Sequence, residues 1–336
     1  MKVLVTGGGG FVGSAVIKEL LAENHEISVL INQNSRLEDG AEIEKRCRIL
    51  SADIRDLESL NNLDTAGNLD AVIHCAGLAH QFGERNDRDF WDVNVSGTKN
   101  VVQLAVRFSV EHFILLSSVA VYGRTASREK ETNRKGLDET AECRPEEIYA
   151  ITKYESEKAA QEICGRNQMN LTILRLATVI GENDRGNVFR LIRAIEQRRF
   201  VWLGDGRNLK SLIYKGDAAR ACLEVLRKPG KAGIYNLTAD ALTMKEIVRE
   251  IYRRLNRKMP RLAIPKVLLN VFFGFNRLNR RTLKLARLDK LTKTIQKWLS
   301  DDVFSGEKFK VAFDFQMETN IAEAIGREVE SYRRAK

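Results

Sequence analysis

Short apolar runs alternate with segments of helical spacing through the first half of the chain. Runs rich in Val, Ile and Leu predict strands over Lys2–Thr6, Glu26–Ile31, Arg48–Ser51, Asp70–His74, His112–Ser117 and Asn170–Leu174. Apolar residues that recur every three or four positions predict helices over Phe11–Ala22, Asp56–Leu63, Phe90–Phe108 and Glu147–Asn167. This alternation is typical of an α/β fold in which a doubly wound parallel sheet is covered by helices on both faces.

The pattern becomes less regular after about Arg185. Helices are predicted over Asn187–Gln197, Gly216–Arg227, Thr243–Asn256 and Glu318–Arg333, with short strands near Lys210–Tyr214 and Gly233–Asn236. We therefore predict a larger unit over residues 1–180 and a smaller C-terminal α/β unit over residues 181–336, with some interchange of chain between them. The polar stretch Arg124–Arg144 is predicted to be a loop, and residues 259–310 give no clear prediction.

The composition indicates which kinds of site and segment are not expected in this chain. Of the 336 residues, five are cysteines, and their odd number and scattered positions predict neither a disulfide framework nor a metal site. Met1 and Lys2 lead straight into a strand, and no apolar run approaches the ~18 residues of a membrane span. A cytoplasmic protein without a signal peptide is therefore expected.

The net charge of +10 is concentrated late in the chain. Eight basic residues lie within 277–297, namely Arg277, Arg280, Arg281, Lys284, Arg287, Lys290, Lys293 and Lys297. The simplest interpretation is a solvated helix face, and electrostatic attraction to a membrane surface is the alternative. Nucleic acid is not an expected partner, because no aromatic stacking pattern accompanies the charge.

A glycine-rich loop follows the first predicted strand. Gly7, Gly10 and Gly13 form the pattern TGxxGxxG, and Phe11 and Val12 begin the helix that follows. Glycine lets the backbone turn sharply and approach a diphosphate closely, and the helix N-terminus offers free N–H groups to its oxygens. The loop therefore predicts a Rossmann fold that binds a nicotinamide dinucleotide in residues 1–180.

The end of the second strand bears on the choice between NAD and NADP. Many NAD enzymes place an acidic residue there to hold the ribose hydroxyls. This chain has Asn32 at that point and Arg36 nearby, an arrangement that leaves room for a 2′-phosphate. The two residues favour NADP slightly, and NAD stays open.

Tyr149 and Lys153 form a candidate catalytic pair. They are four residues apart in a predicted helix, so their side chains share one face. An ammonium group favours the phenolate and is expected to lower the pKa of Tyr149, which can then exchange a proton with a sugar hydroxyl. Ser117 and Ser118 end the fifth predicted strand, at the edge where parallel sheets bind ligands.

These motifs together resemble the extended short-chain dehydrogenase/reductase family, in its nucleotide-sugar epimerase/dehydratase branch. The matching segments are Thr6–Gly13, Ala52–Asp56, His74–Gly77, Asn94–Thr98, Ser117–Gly123 and Tyr149–Lys153. The resemblance implies a catalytic set of Ser118, Tyr149 and Lys153. It also implies that Tyr149 and Lys153 contact the cofactor, together with Asp53, Ile54, Cys75, Ala76, Gly77, Asn94 and Ser117.

The same resemblance implies a nucleotide-sugar site in residues 181–336. Asn187 and Lys210 stand where family members hold the substrate diphosphate, although Lys210 replaces a frequent arginine. His80 lies just after the fourth-strand motif and is a candidate contact for the sugar. Val119 and Ala120 occupy the positions where family dehydratases place an Asp-Glu pair, so dehydration is not expected.

Several functions remain open at this point. The favoured prediction is NAD(P)-dependent reduction at C4 of a UDP-4-keto-6-deoxy-hexose or hexosamine in polysaccharide biosynthesis. The alternative is a UDP-hexose or UDP-N-acetylhexosamine 4-epimerase, which would use the same residues. Reduction of a carbonyl compound that carries no nucleotide and a non-catalytic dinucleotide-binding regulator are lesser alternatives. The family also implies a homodimer.

Overall fold

The centre of the molecule is a parallel sheet, seen in a computed structural model that describes residues 1–33, 37, 40–63, 67–79, 86–123, 136–260, 263–265 and 295–336. Its strands are β1 (Lys2–Thr6), β2 (Glu26–Ile31), β3 (Arg48–Ser51), β4 (Ala71–His74), β5 (His112–Ser118), β6 (Asn170–Leu176) and β11 (Gly233–Leu237). They are ordered β11-β6-β5-β4-β1-β2-β3. Because the order reverses between β1 and β4, a crevice opens at the carboxyl ends of these two strands.

The remaining elements surround this sheet. The helices are α1 (Phe11–Ala22), α2 (Gly40–Arg46), α3 (Leu57–Asn61), α4 (Asp87–Phe90), α5 (Gly97–Arg107), α6 (Ile148–Arg166), α7 (Asn187–Glu196), α8 (Lys215–Arg227), α9 (Met244–Arg254), α10 (Glu307–Phe313) and α11 (Ile321–Arg334). Short strands pair as β7 (Thr178–Ile180) with β10 (Leu212–Tyr214), β8 (Trp202–Leu203) with β13 (Ala263–Ile264), and β9 (Leu209–Lys210) with β12 (Leu242–Thr243). No helix in the described ranges is long and apolar enough to span a bilayer.

Each face of the main sheet has its own apolar core. Successive residues of a strand point to opposite faces, so Val3 and Val5 lie on one face of β1 and Leu4 lies on the other. The first face packs against α1 and α8, and the second against α5 and α6. The sheet is therefore buried on both sides, which explains why its strands are almost continuously apolar.

A third core is built by the C-terminal part of the chain. It brings together α7, α9 and α11, with Ile192, Ile251 and Ile325 fully or almost fully buried at its centre. The chain also returns to the main sheet, because β11 pairs with β6 in parallel, Tyr235 opposite Leu174. Residues after 181 thus contribute both to the smaller unit and to the edge of the larger one.

The structure differs from the secondary-structure predictions at several places. The helix predicted over Phe90–Phe108 is interrupted by a π-helix over Trp91–Ser96. The strand predicted near Lys210–Tyr214 is two strands, β9 and β10, which pair with different partners. The helix α10 was not predicted, because it begins within residues 259–310, which give no clear prediction.

Candidate active site

The glycine loop between β1 and α1 has the backbone geometry that a diphosphate requires. Gly7 has φ +71°, and a Cβ at this position would lie 2.6 Å from the backbone nitrogen of Ala76. A Cβ on Gly13 would lie 2.2 Å from the carbonyl oxygen of Gly7. The turn is closed by the N–H of Gly10, which donates to the Gly7 carbonyl at 2.9 Å. The strand, loop and helix can therefore approach one another only with glycine at positions 7 and 13.

Helix α1 offers its N-terminus to the same crevice. Gly10 is the N-cap residue, and it has no side chain with which to occupy the free N–H groups of the first turn. Phe11 and Val12 begin the helix, and the first turn contains no acidic residue. The positive end of the helix dipole is thus available to an anion, as expected for the diphosphate of a dinucleotide.

A carboxylate lies at the ends of β2 and β3, where the adenosine part of a dinucleotide is expected. Asp53 accepts hydrogen bonds from Arg55 at 2.6 Å (Nη2) and 3.0 Å (Nε). These bonds, with a further bond from the side chain of Asn32, hold the pKa of Asp53 below its usual value. Ile54 is half-buried beside it against the core. Arg36, the other residue predicted near this end, lies outside the described residues.

A buried histidine at the end of β4, His74, connects Thr6 at the end of β1 with Thr98 in α5. His74 Nδ1 lies 2.7 Å from Thr6 Oγ1, and His74 Nε2 lies 3.0 Å from Thr98 Oγ1. Thr98 donates its own hydrogen to the Asn94 carbonyl at 2.6 Å, so it accepts from Nε2–H of His74. Nδ1 therefore accepts from Thr6, whose oxygen in turn accepts from the N–H of Ala76.

This histidine network was missed from the sequence, where His74 was noted only as part of a motif. Complete burial lowers the pKa of His74 to about 3, so the ring is neutral at physiological pH. A histidine within an otherwise apolar strand was the available signal, because a buried imidazole needs hydrogen-bonding partners. The network fixes the β4 end relative to β1.

Asn94 connects the β4 end to the catalytic helix. It lies in the π-helix, is buried, and accepts a 2.7 Å hydrogen bond from the N–H of Leu78. Its amide donates to the Leu78 carbonyl and to the hydroxyl of Thr152 in α6. Gly77 lies against this group, since a Cβ there would be 3.3 Å from Asn94 Oδ1 and 3.1 Å from Lys153 Nζ. π-helical turns of this kind are frequent at functional sites.

The predicted catalytic residues are brought together at the carboxyl end of β5. Tyr149 and Lys153 lie one turn apart on α6, and the side chain of Tyr149 shares a hydrogen bond with Ser118 at the end of β5. Ser118 Oγ also accepts the N–H of Ala120 at 3.2 Å. Lys153 Nζ donates to the Leu116 carbonyl at 2.8 Å. A hydroxyl, a phenol and an ammonium group therefore face the crevice from two adjoining elements.

The pKa of Tyr149 departs from the sequence-based expectation. Burial raises it, and the hydrogen bond from Ser118 opposes the rise, whereas the expectation was a pKa lowered by Lys153. Burial likewise lowers the pKa of Lys153 to about 8, against the opposing influence of Glu157 and Cys75. The thiol of Cys75 has a pKa raised to about 12 by burial, so it is neutral beside the ammonium. Desolvation outweighs charge at this site.

The other predicted site residues are placed as follows. Ser117 is buried and donates its hydroxyl to Glu157, so its side chain lies in the interior. Asn187 is exposed at the first position of α7. Lys210 forms an ion pair of 2.5 Å with Asp302 and also donates to the Lys297 carbonyl at 2.8 Å. His80 lies outside the described residues, as do residues 277–294 of the basic segment.

Comparison with known proteins shows the family to which the chain belongs. Residues 3–238 match the model of the NAD dependent epimerase/dehydratase family. The chain is 30 % identical over 269 residues to an N-acetyl-alpha-D-glucosaminyl-diphospho-ditrans,octacis-undecaprenol 4-epimerase of Escherichia coli O157:H7, covering 79 % of this chain and 75 % of that relative. It is 25 % identical over 308 residues to a UDP-glucose 4-epimerase of Vibrio cholerae, covering 88 % and 86 % respectively.

A solved structure shows the same fold. The UDP-glucose 4-epimerase of Thermus thermophilus, in complex with NAD, superposes with a TM-score of 0.76 at 22 % identity and complete coverage of both chains. The family match covers well over half of the sequence and includes the glycine loop, Ser118, Tyr149 and Lys153. The chain is an enzyme of the nucleotide-sugar type and belongs to the NAD-dependent epimerase/dehydratase family.

Proposed function

We propose that this protein is a 4-epimerase that interconverts the C4 epimers of a diphosphate-linked hexose or N-acetylhexosamine and retains its NAD between turnovers. The observation that carries the proposal is the hydrogen-bonded pair Ser118–Tyr149, with Lys153 one helical turn away. The same fold has a glycine loop between β1 and α1 that can accept a diphosphate. The sequence favoured single reduction of a 4-keto sugar, which needs the same residues. The relatives named above are epimerases, and they favour the alternative.

The described residues fit a dinucleotide along the whole crevice. The loop from Gly7 to Gly10 and the first turn of α1 would hold the diphosphate, and Asp53 with Ile54 would contact the adenosine. On the nicotinamide side the candidates are Cys75, Ala76, Gly77, Asn94 and, through its backbone, Ser117. When bound, the cofactor supplies a reversible hydride acceptor.

The adenosine end supports NAD rather than the NADP that Asn32 and Arg36 favoured slightly. Asn32 donates to Asp53, and the lowered pKa of Asp53 keeps this carboxylate charged. A 2′-phosphate would have to compete with Asp53 for Arg55, whereas ribose hydroxyls can donate to the Asp53 carboxylate. We therefore expect tighter binding of NAD than of NADP by isothermal titration calorimetry. The opposite order would reverse the assignment.

Side chains of the protein transfer the proton of the C4 hydroxyl and orient its oxygen. Tyr149 would take the proton of the C4 hydroxyl and return it after the sugar presents its other face, while Ser118 orients the same oxygen. The ammonium of Lys153 would favour the phenolate electrostatically. Val119 and Ala120 supply neither acid nor base, so the site has no group there to eliminate water.

The carrier of the sugar separates two candidate substrates. Both a nucleoside diphosphate and a polyprenyl diphosphate offer a diphosphate to the N-terminus of α7, where Asn187 lies. Lys210 would contribute only by exchanging its ion pair with Asp302 for the diphosphate. A nucleotide carrier is the first candidate, because the family is one of nucleotide-sugar enzymes. The eight basic residues within 277–297 favour the second, since they suit the anionic surface on which a lipid-linked substrate resides. The E. coli relative is named for such a lipid-linked sugar.

The proposal is tested by proton nuclear magnetic resonance of purified protein with NAD and either UDP-N-acetylglucosamine or the matching polyprenyl-diphosphate sugar in detergent. We expect the C4 epimer to accumulate to equilibrium with one carrier, without added reductant, and no product with Tyr149→Phe. Stoichiometric oxidation of NADPH or NADH by a UDP-4-keto-6-deoxy-hexosamine, with no epimer from either carrier, would instead establish the reductase.

A further inference from the structure

We propose that Glu157 is a positioning residue for the catalytic pair, in that its carboxylate aligns the β5 end that presents Ser118 and lies one helical turn from Lys153, whose positive charge it stabilises. The inference rests on the proposed function only for the identity of the reaction, since Glu157 touches neither crevice nor substrate. Glu157 lies one turn beyond Lys153 on α6 and is 1 % exposed.

The carboxylate of Glu157 joins α6 to the two central strands. Oε1 accepts the hydroxyl hydrogen of Ser117 in β5, and both oxygens accept from Arg175 in β6, at 2.7 Å from Nη2 and 3.1 Å from Nε. Arg175 is itself buried and donates at 3.0 Å to the hydroxyl of Tyr122. Every polar atom of this carboxylate is thus engaged in the interior.

The position of Ser117 in β5 makes this contact relevant to catalysis. Ser117 stands between Leu116, whose carbonyl accepts from Lys153, and Ser118, which bonds to Tyr149. Side chains alternate along a strand, so the hydroxyl of Ser117 points inward while that of Ser118 points to the crevice. Fixing Ser117 to Glu157 therefore fixes both groups that hold the catalytic pair.

The charge of Glu157 also acts on Lys153 directly. The titratable groups near Lys153 are His74 at the end of β4, Cys75 directly after it, and Tyr149 and Glu157 one turn away on its own helix. Of these groups Glu157 is the one held in an ion pair, with Arg175 at 2.7 Å, whereas burial keeps His74, Cys75 and Tyr149 uncharged. Burial lowers the pKa of Lys153 and the carboxylate of Glu157 opposes this decrease, so removing that carboxylate should lower the pKa of Lys153 further.

A purely structural role for Glu157 must be separated from this one. Arg175 is a buried cation, and removing its partner leaves that charge uncompensated, which destabilises a protein whatever the catalytic effect. The double variant Glu157→Gln/Arg175→Gln removes both charges together. It is expected to recover most of the stability lost in Glu157→Gln while still lacking the carboxylate beside Lys153.

The experiment measures the melting temperature and the pH dependence of NAD affinity for the wild type, Glu157→Gln and the double variant. NAD affinity should decline at alkaline pH as Lys153 loses its proton, which gives the alkaline limb of NAD binding. We expect this limb to move down by about one pH unit in both variants. The melting temperature should fall mainly in Glu157→Gln. Glu162→Gln, an exposed carboxylate of the same helix, should leave both quantities unchanged. Ser117→Ala, which keeps the charge, should lower the rate of epimerisation without moving the limb.

A double variant whose NAD-binding limb coincides with that of the wild type would overturn the proposal and reduce Glu157 to a partner of Arg175. If Glu157→Gln and the double variant do not fold, Ser117→Ala decides, and an unchanged rate in that variant would overturn the alignment of β5. The binding and melting measurements require no substrate. They would therefore stand even if the protein proved to catalyse a reaction other than epimerisation.

Discussion

Lys153 Nζ lies 2.8 Å from the carbonyl oxygen of Leu116, two residues before the serine that bonds to Tyr149. One strand end thus holds both members of the pair that α6 presents. Since β5 is paired with β6 over His112–Ser118 and with β4 over His112–Leu115, its position is set by the main sheet. The catalytic groups are therefore attached to the central strands of that sheet.

Replacing Tyr149 with phenylalanine should abolish turnover while preserving the fold. The proton acceptor for the C4 hydroxyl is removed, so we expect the rate to fall by about 10²–10⁴-fold. Ser118→Ala removes one oriented hydrogen bond and should cost about 10²-fold. Tyr154→Phe on the same helix, where the ring lies under Lys158, is the matched control and should leave the rate unchanged. A fully active Tyr149→Phe variant would refute the assignment of the proton acceptor.

Two glycine substitutions should have opposite consequences. Gly7→Ala places a Cβ 2.6 Å from the backbone of Ala76 in a left-handed conformation, which costs about 1–2 kcal/mol before the clash is counted. NAD affinity should fall more than about tenfold, as measured by calorimetry. At Gly165 in α6 a Cβ meets no atom within 4 Å, and Gly165→Ala should raise stability by about 0.4–1 kcal/mol without affecting NAD. Equal NAD affinities for the two variants would contradict the proposed diphosphate cradle.

Two buried histidines should make the protein sensitive to acid. The pKa of His74 is lowered to about 3 and that of His112 to about 4, from 6.5. As pH falls below 6.5 the unfolded chain gains protons that the folded chain resists, so the free energy of unfolding should decrease toward pH 4. His74→Gln and His112→Gln should each reduce this slope, measured by urea unfolding at several pH values.

The same two histidines differ in their expected effect on NAD. His74 fixes the β4 end through Thr6 and Thr98, whereas His112 bonds to Thr172 at the opposite end of β5 from Ser118. NAD affinity should therefore decline in His74→Gln and stay at the wild-type level in His112→Gln. An equal effect of both variants would mean that the His74 network serves stability alone.

The parts of the site that the sequence predicts are those that depend on residues close together in the chain. The glycine loop, the Tyr149–Lys153 spacing and the run that ends at Ser118 are local patterns, and each coincides with the strand or helix expected for it. The strands of the main sheet are predictable for a related reason. They are buried on both faces and therefore apolar almost throughout.

The parts that escaped prediction depend on distant residues. Glu157 and Arg175 are 18 positions apart and meet only because α6 packs against the sheet across β5 and β6. Lys210 was predicted to contact a diphosphate. Its ion-pair partner Asp302 is 92 positions away, so this internal pair could not be predicted from the sequence. The prediction that the pKa of Tyr149 is lowered was wrong for the same reason. Burial raises this pKa, and burial is a property of the packed fold.

The most direct test of the account follows the hydrogen at C4. UDP-N-acetylglucosamine carrying deuterium at C4, or the polyprenyl-linked sugar if that carrier proves active, is incubated with the protein and NAD and analysed by nuclear magnetic resonance. If the protein is a 4-epimerase with a retained cofactor, the epimer keeps its deuterium at C4 and no reduced NAD accumulates. Solvent hydrogen at C4 of the product, or the absence of any epimer with both carriers, would contradict the proposed function.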